Sequence, residues 1–245
     1  METVSRDSAD LKALILDWGG TITPWHQVDY RAQWTTFADG YGTMACSLNN
    51  LAATLLDAER TLWRRVHDDH SSGHLREIFE AVGIVQPDED YDAATLAGIE
   101  AYRTFWEPHT FTHPAWPSVW EHLRSRGVKI AVLSNTIWPR SWHEDWFARD
   151  GVSDLLDVQV YSSDLEWAKP HPKIFEYTAE QLGLDPAECA YLGDRRYEDV
   201  FGAQRAGMQG WWFPHDGLPP DQIVEVDVTP EVTLTEPDQV IGFFA

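Results

Sequence analysis

The sequence predicts an α/β fold, a doubly wound parallel sheet with a helical domain inserted after its first strand. Two observations predict it. Short apolar runs alternate with helical patterns in the second half of the chain, which is typical of βαβ units and a parallel sheet. Apolar residues spaced by threes and fours fill most of residues 24–112, which indicates an inserted set of helices.

The first predicted strand, residues 13–16, is continuously apolar, as strands covered by helices on both faces are. It ends at Asp17, and Gly19 and Gly20 follow. Ligands of open α/β sheets bind at the carboxyl ends of strands, and glycines let the backbone turn sharply and approach a ligand. Asp17 is therefore predicted to lie where chemistry occurs, although a strand end with a capping acid is the plainer alternative.

The remaining elements follow in order. The helical domain, residues 24–112, is predicted to contain helices at 29–38, 48–67, 75–82 and 93–106. A Rossmann-like core resumes at residue 113, with predicted strands at 128–133, 158–161, 190–192 and 210–213 and helices at 117–126, 138–148, 172–182 and 197–206. A polar leader, 1–11, and a terminal helix, 237–244, complete the chain. The core thus comprises residues 1–23 and 113–245.

Polar side chains follow three more of the predicted strands. Ser134 and Asn135 follow the second strand, Lys169 the third, and Asp194 and Asp199 the fourth. Because the carboxyl ends of parallel strands meet at one edge of a sheet, we expect these side chains to converge with the first aspartate in one crevice. Each residue alone could be a strand-end cap or a surface group, so the prediction depends on their joint order.

With these motifs in this order, the chain resembles the haloacid dehalogenase (HAD) superfamily, in its subfamily I with an α-helical cap. The resemblance spans residues 12–213 and is most specific in YLGDRRYEDVFGAQRAGM, 191–208, and KPHPKIF, 169–175. It implies a hydrolase, with phosphatase the leading activity, that uses Mg²⁺. It also implies that residues 24–112 form the cap that closes over the active site and selects a small phosphorylated substrate.

The same resemblance implies a role for each motif residue. Asp17 would be the nucleophile that becomes an aspartyl phosphate, Ser134 would hold phosphoryl oxygens, and Lys169 would neutralise charge. The implied ligands of Mg²⁺ are Asp17, the backbone carbonyl of Gly19, Asp194, and Asp199 through a water.

Four further residues are predicted to contact the substrate: Trp18, Gly20, Trp25 and Asn135. The two tryptophans flank the first strand end, where an apolar or aromatic part of the substrate would stack. Most of the 13 tryptophans should be packing residues, since an indole buries a large area. Asn135 is equally well interpreted as a structural residue.

The first motif, DWGGT, departs from the family at Gly19. Phosphatases of this family carry a second aspartate there, which protonates the leaving group and later activates water. A positioned acid or base contributes roughly a hundred- to ten-thousandfold in rate. A good leaving group, or an acid from the cap, would compensate, and His26 with Asp29 behind it is the nearest candidate.

Three alternatives remain open. DWGGT resembles the DWAGT of phosphonoacetaldehyde hydrolases, but residues 24–112 contain no lysine for the Schiff base that those enzymes form. Haloacid dehalogenases direct the same aspartate at carbon, but that branch lacks the intact GDxxxxD found here at 193–199. A non-catalytic HAD-fold binding protein is the third, although retention of Asp17, Lys169 and Asp194 argues against complete silencing.

The composition of the chain argues against some classes of binding partner. A formal net charge of −22 argues against nucleic acid, which proteins bind through clustered lysine and arginine. We find no signal-peptide pattern and no apolar run of membrane-spanning length. Cys46 and Cys189 suggest neither a disulfide framework nor a metal site. We therefore expect a reduced, cytoplasmic protein, monomeric or homodimeric, without nucleic-acid or membrane partners.

Overall fold

The structure is a computed structural model that describes residues 11–44, 47–219 and 222–244. Of the predicted leader only Leu11 falls within the described residues, and it is buried. Cys46 lies outside them, whereas Cys189 is a buried free cysteine. Among the described residues, no helix combines the length and the apolar character that crossing a membrane requires.

A six-stranded parallel sheet forms the core, with strand order β3-β2-β1-β4-β5-β6. The strands are β1 (Ala13–Leu16), β2 (Lys129–Ser134), β3 (Val158–Tyr161), β4 (Cys189–Gly193), β5 (Gln209–Trp212) and β6 (Val232–Thr233). Strand β1 lies between β2 and β4, so the strand order reverses beside it. The predicted doubly wound parallel sheet is confirmed, and its switch point, where ligands of such sheets bind, lies at the end of β1.

Two apolar cores cover the two faces of the sheet. Leu14 and Leu16 of β1 belong to one core, and Ala13 and Ile15 belong to the other. All four are fully buried. Successive side chains of a strand point to opposite faces, so a continuously apolar strand requires helices on both sides.

Four helices lie in the inserted segment, residues 24–112: α1 (Tyr30–Gly40), α2 (Leu48–Asp69), α3 (Leu75–Ala81) and α4 (Ala93–Trp106). The core helices are α5 (Trp116–Ser125), α6 (Arg140–Arg149), α7 (Pro172–Leu182) and α8 (Gly202–Arg205). The helix predicted at 197–206 differs from expectation, because residues Arg196–Phe201 form a π-helix and only the last turn is α-helical. The terminal helix is 3₁₀ at Pro237–Phe243.

A buried polar network joins three of the inserted helices. Glu59 of α2 is 7% exposed, and its Oε2 accepts hydrogen bonds from Gln33 Nε2 and Trp34 Nε1 of α1, both at 2.7 Å. Trp106 Nε1 of α4 donates in turn to Gln33 Oε1 at 2.8 Å. Burial raises the pKa of Glu59 to about 7, because the network supplies dipolar donors but no cation at hydrogen-bond distance.

Replacing Glu59 with glutamine is expected to stabilise the protein at pH 8 and to change little at pH 4.5. The folded state binds the Glu59 proton more tightly than the unfolded state, so this contribution is complete below the ordinary pKa of 4.5 and is lost as pH rises through about 7. The pH-dependent difference in unfolding free energy should reach about 3 kcal/mol.

Urea denaturation of both proteins at the two pH values measures this difference. Glu100→Gln, on the exposed face of α4, removes the same charge and should show no pH-dependent gain. A Glu59→Gln effect of equal size at both pH values would contradict the assignment.

Candidate active site

Asp17 lies one residue past β1, at the carboxyl edge of the sheet. Its backbone N–H still pairs with β4 by donating to Leu192 O at 2.9 Å. The turn that follows is closed by the Thr23 N–H, which donates to Trp18 O at 2.9 Å. Asp17 is 7% exposed, so its carboxylate is fixed by the strand in a largely dry setting.

Lys169 brings the polar strand ends together. Its Nζ donates to Asp17 Oδ1 at 2.7 Å, to Asp199 Oδ1 at 2.6 Å and to the Tyr191 hydroxyl at 2.7 Å. An ammonium has three donors, so these bonds use all of them. Lys169 is 4% exposed and is held between two carboxylates. These contacts bring together three of the predicted residues, Asp17, Lys169 and Asp199.

Asn135 fixes the backbone of Lys169. Its Oδ1 accepts from the Lys169 N–H at 2.8 Å, and its Nδ2 donates to the Lys169 carbonyl at 2.9 Å. Both polar atoms of the amide thus engage one peptide segment. A contact of Asn135 with substrate stays a prediction, and the geometry favours its positioning of Lys169.

Three buried carboxylates form a cluster. Asp17, Asp194 and Asp199 each present one oxygen within 4.8 Å of the others. Asp199 Oδ1 accepts from Lys169 and its Oδ2 from the Arg195 N–H at 2.8 Å, so both oxygens are occupied. Asp194 Oδ1 has no hydrogen-bond partner among the described residues. An unpaired buried carboxylate oxygen is costly, and such oxygens are the ligands that Mg²⁺ prefers, so these residues fit a divalent cation.

The charges of the cluster agree with that fit. Burial raises the pKa of Asp17 to about 7, and the carboxylates of Asp199 and Asp194 act in the same direction against the attraction of Lys169. Burial alone would lower the pKa of Lys169, but the two carboxylates that it contacts raise it above its ordinary value, so the ammonium stays charged. The Lys169 ammonium and the Arg195 guanidinium, whose Nε lies 3.9 Å from Asp194 Oδ2, offset two of the three carboxylates, and a cation would offset the remaining negative charge.

Ser134 and the two glycines border this cluster. Ser134, at the end of β2, is 3% exposed, and among the described residues its Oγ makes one long contact, 3.5 Å to Asn135 O. Within the part of the chain that the structure describes, a Cβ on Gly19 would meet no atom within 4 Å apart from its chain neighbours. Gly20 has φ +78°, and a Cβ there would lie 2.7 Å from Asp194 Oδ2. Gly20 therefore permits a close approach of the backbone to the cluster, whereas the space beside Gly19 is open.

The two tryptophans near the first strand end lie in different settings. Trp18 is 8% exposed and packs on His143 and Trp146, with ring centroids 4.8 and 5.5 Å away. Those contacts are typical of a core residue. Trp25 is half-buried and stacks on His215 at 4.9 Å, next to the carboxylate cluster. Substrate contact stays a prediction for both, and the structure supports it better for Trp25.

His26, the predicted substitute for the missing acid, is not hydrogen-bonded to Asp17 among the described residues. His26 is exposed, and its ring packs against His109 at 5.0 Å. Asp29 accepts hydrogen bonds from the first backbone amides of α1, at Arg31 and Ala32. Neither side chain forms a hydrogen bond to Asp17 within the described part of the chain.

Two residues of the site were missed by the sequence analysis. The Tyr191 hydroxyl receives a hydrogen bond from Lys169 and donates to Leu133 O at 2.9 Å. Within the apolar run of β4 this tyrosine is indistinguishable from a core residue. His215 follows β5 and contacts Asp194 at 2.8 Å. Like the polar residues after the other four strands, it follows the carboxyl end of a strand, and that position is the sequence signal for it.

Comparison with known proteins gives a consistent result. The family model for haloacid dehalogenase-like hydrolases matches residues 11–207. A glyceraldehyde 3-phosphate phosphatase of Methanopyrus kandleri is 27% identical over 157 residues, which are 62% of this chain and 65% of that protein. One of Pyrococcus abyssi is 30% identical over 120 residues, 49% of each protein. The chain therefore matches about half to two thirds of the length of these relatives.

Solved structures share the fold. A HAD phosphatase from Thermococcus onnurineus superposes with a TM-score of 0.62 at 21% identity, covering 96% of this chain and 99% of that one. A 2-haloacid dehalogenase from Pseudomonas syringae pv. tomato gives 0.61 at 18% identity, covering 95% and 97%. Phosphatases and dehalogenases are thus about equally similar in backbone, so the chemistry must be argued from the side chains.

Proposed function

Because this chain belongs to the haloacid dehalogenase-like hydrolases, we propose that it is a Mg²⁺-dependent phosphohydrolase that acts on a small phosphorylated metabolite. The observation that supports this most is the buried ammonium of Lys169 between Asp17 and Asp199, with Asp194 beside them. Relatives named as phosphatases, a pyrophosphatase among them, agree with the proposal.

In the proposed first step, a carboxylate oxygen of Asp17 attacks phosphorus while the bond to the leaving group breaks. Lys169 holds Oδ1 of Asp17. The Asp17 side chain keeps 11% of its surface exposed, so its Oδ2 is the attacking atom. An aspartyl phosphate forms, and water hydrolyses it in a second step. Splitting one displacement into two easier ones is the advantage of covalent catalysis.

The other residues stabilise charge during both steps. Lys169 lies at hydrogen-bond distance from the nucleophile and is rigidly held, as electrostatic catalysis requires. The Ser134 hydroxyl has only one long contact and can turn towards a phosphoryl oxygen. Mg²⁺ held by Asp17, the Gly19 carbonyl and Asp194 would neutralise phosphoryl charge. Asp199 would act through a water, because both its oxygens are occupied.

Position 19 lacks the general acid and base that a phosphatase of this family uses. Among the described residues, and apart from the two chain neighbours, no side chain lies within 4 Å of a Cβ placed at Gly19. The leaving group must then depart without protonation from this position, which costs roughly a hundred- to ten-thousandfold in rate. We propose that the substrates carry leaving groups that are stable as anions.

We further propose that residues 24–112 serve as a cap that closes on the core. The segment after α2 contacts the chain just ahead of Lys169: Ala168 N–H donates to His70 O at 3.0 Å, and Ser72 N–H donates to Glu166 O at 3.2 Å. The Leu75 N–H, at the start of α3, donates to Ile137 O beyond β2 at 2.8 Å. These contacts set the inserted helices against both loops that border the carboxylate cluster.

Hydrolysis of p-nitrophenyl phosphate with and without Mg²⁺ tests the proposal. p-Nitrophenol departs as a stable anion, so the missing acid should matter least for this substrate. We expect steady release with Mg²⁺, a fall to the uncatalysed rate after chelation with EDTA, and recovery when excess Mg²⁺ is added. Hydrolysis that persists in EDTA would contradict the metal dependence, and failure to hydrolyse both this ester and acetyl phosphate would contradict the phosphohydrolase.

A further inference from the structure

His215 follows β5 and contacts the carboxylate cluster, although it belongs to none of the sequence motifs that predicted the site. Its Nε2 lies 2.8 Å from Asp194 Oδ2. Its ring stacks on Trp25, with centroids 4.9 Å apart and planes 16° from parallel, and its side chain is 18% exposed. The imidazole is therefore held in place by contacts on its face as well as at its edge.

The second ring nitrogen determines what His215 can offer Asp194. The Gly217 N–H donates to His215 Nδ1 at 3.2 Å. A nitrogen that accepts a hydrogen bond carries no proton, so the proton of the neutral ring is on Nε2. Nε2 then donates to Asp194 Oδ2, and the backbone of the β5 loop selects this tautomer.

That hydrogen bond leaves the two oxygens of Asp194 unequal. Oδ2 has a donor, whereas Oδ1 is buried without a partner among the described residues, and the side chain is 1% exposed. A buried polar atom without a partner requires an explanation, and an ion is one of the few available. Only glycine at position 20 leaves room for this hydrogen bond, since a Cβ there would lie 2.7 Å from Asp194 Oδ2 and 3.0 Å from His215 Nε2.

We propose that His215 is a positioning residue for the divalent-cation site. By holding Oδ2, it fixes the rotation of the Asp194 carboxylate so that Oδ1 is the atom presented to the cation. The inference rests on the proposed function, because it presupposes a cation in the carboxylate cluster. Hydrogen bonds of this kind to a ligating carboxylate orient the ligand, and their loss typically costs ten- to a hundredfold in metal affinity.

Titration of the substrate-free protein with Mn²⁺, followed by the electron paramagnetic resonance signal of the free ion, tests this without reference to activity. We expect His215→Ala to bind Mn²⁺ about ten- to a hundredfold more weakly than the wild type. His215→Gln keeps an N–H donor of similar reach and should retain most of the affinity. His67→Ala, whose histidine side chain is 46% exposed in α2, is the matched control and should bind as the wild type does.

Three results of the Mn²⁺ titration would overturn the inference. Equal Mn²⁺ affinity of the wild type and His215→Ala would overturn the inference and leave the proposed phosphohydrolase intact. Equal weakening in His215→Ala and His215→Gln would also overturn it, because the donated hydrogen bond would then not be what matters. Absence of Mn²⁺ binding by the wild type would overturn the inference and the proposed metal dependence together.

Discussion

Replacement of Asp17 by asparagine is expected to reduce phosphatase activity by on the order of ten-thousandfold or more, because the amide oxygen is uncharged and forms no aspartyl phosphate. The shape of the side chain is kept, and the amide oxygen can still accept from Lys169. The loss should therefore appear in kcat, without misfolding.

The melting temperature of Asp17→Asn distinguishes a loss of catalysis from a loss of folding. The pKa of Asp17 is raised to about 7 in the fold, so its contribution to stability is present at low pH and lost as pH rises through that value. At pH 8 the metal-free Asp17→Asn protein should accordingly melt at the same temperature as the wild type or higher. Asp39→Asn, an exposed aspartate in α1, is the control and should leave both properties unchanged. Activity of Asp17→Asn within tenfold of the wild type would exclude Asp17 as the nucleophile.

Replacement of Gly19 by aspartate is expected to raise the hydrolysis of an alkyl phosphate, such as glycerol phosphate, by roughly a hundred- to ten-thousandfold. Apart from its chain neighbours, no described residue lies within 4 Å of a Cβ at this position, and Gly19 is outside the left-handed region, so a side chain should fit without strain. The gain should be smaller in the first-turnover burst of p-nitrophenyl phosphate, because that burst reports the first step and its leaving group needs little protonation.

Gly19→Ala is the control that distinguishes the effect of the carboxyl group from the effect of adding any side chain at this position. It adds the Cβ alone and should give no gain on either substrate. A similar gain with alanine and aspartate, or no gain with aspartate on the alkyl phosphate, would contradict the idea that position 19 lacks the acid. Gly20→Ala offers the structural contrast, because φ +78° and a Cβ 2.7 Å from Asp194 Oδ2 should make it lose activity.

Most of the sheet could be predicted from sequence because β1, β2 and β4 are largely apolar runs with a polar residue at or just past their ends. The strand predicted at 128–133 lies at Lys129–Ser134, and that at 158–161 is unchanged. Strand β6 was missed, since it comprises only two residues, too few for a periodic signal. The π-helix was also missed, because apolar spacing does not specify which carbonyl accepts: Val200 N–H donates to Arg195 O, five residues back.

The convergence of Asp17, Lys169 and Asp199 followed from strand order, and the structure places them in contact. Their chemical roles stay predictions. The pairing of Asn135 with the backbone of Lys169 could not be predicted, because it depends on the exact approach of two loops that are 34 residues apart in sequence. The contact of His215 with Asp194 depends in the same way on the path of the loop after β5.

The central claim is that Asp17 forms a covalent aspartyl phosphate, and mass spectrometry of protein quenched in acid during turnover of p-nitrophenyl phosphate with Mg²⁺ tests it most directly. We expect a phosphoryl group on the peptide that contains Asp17, at high occupancy because Gly19 provides no base for its hydrolysis, and none in Asp17→Asn. Turnover with no phosphoryl group on that peptide, or with one on another residue, would contradict the claim.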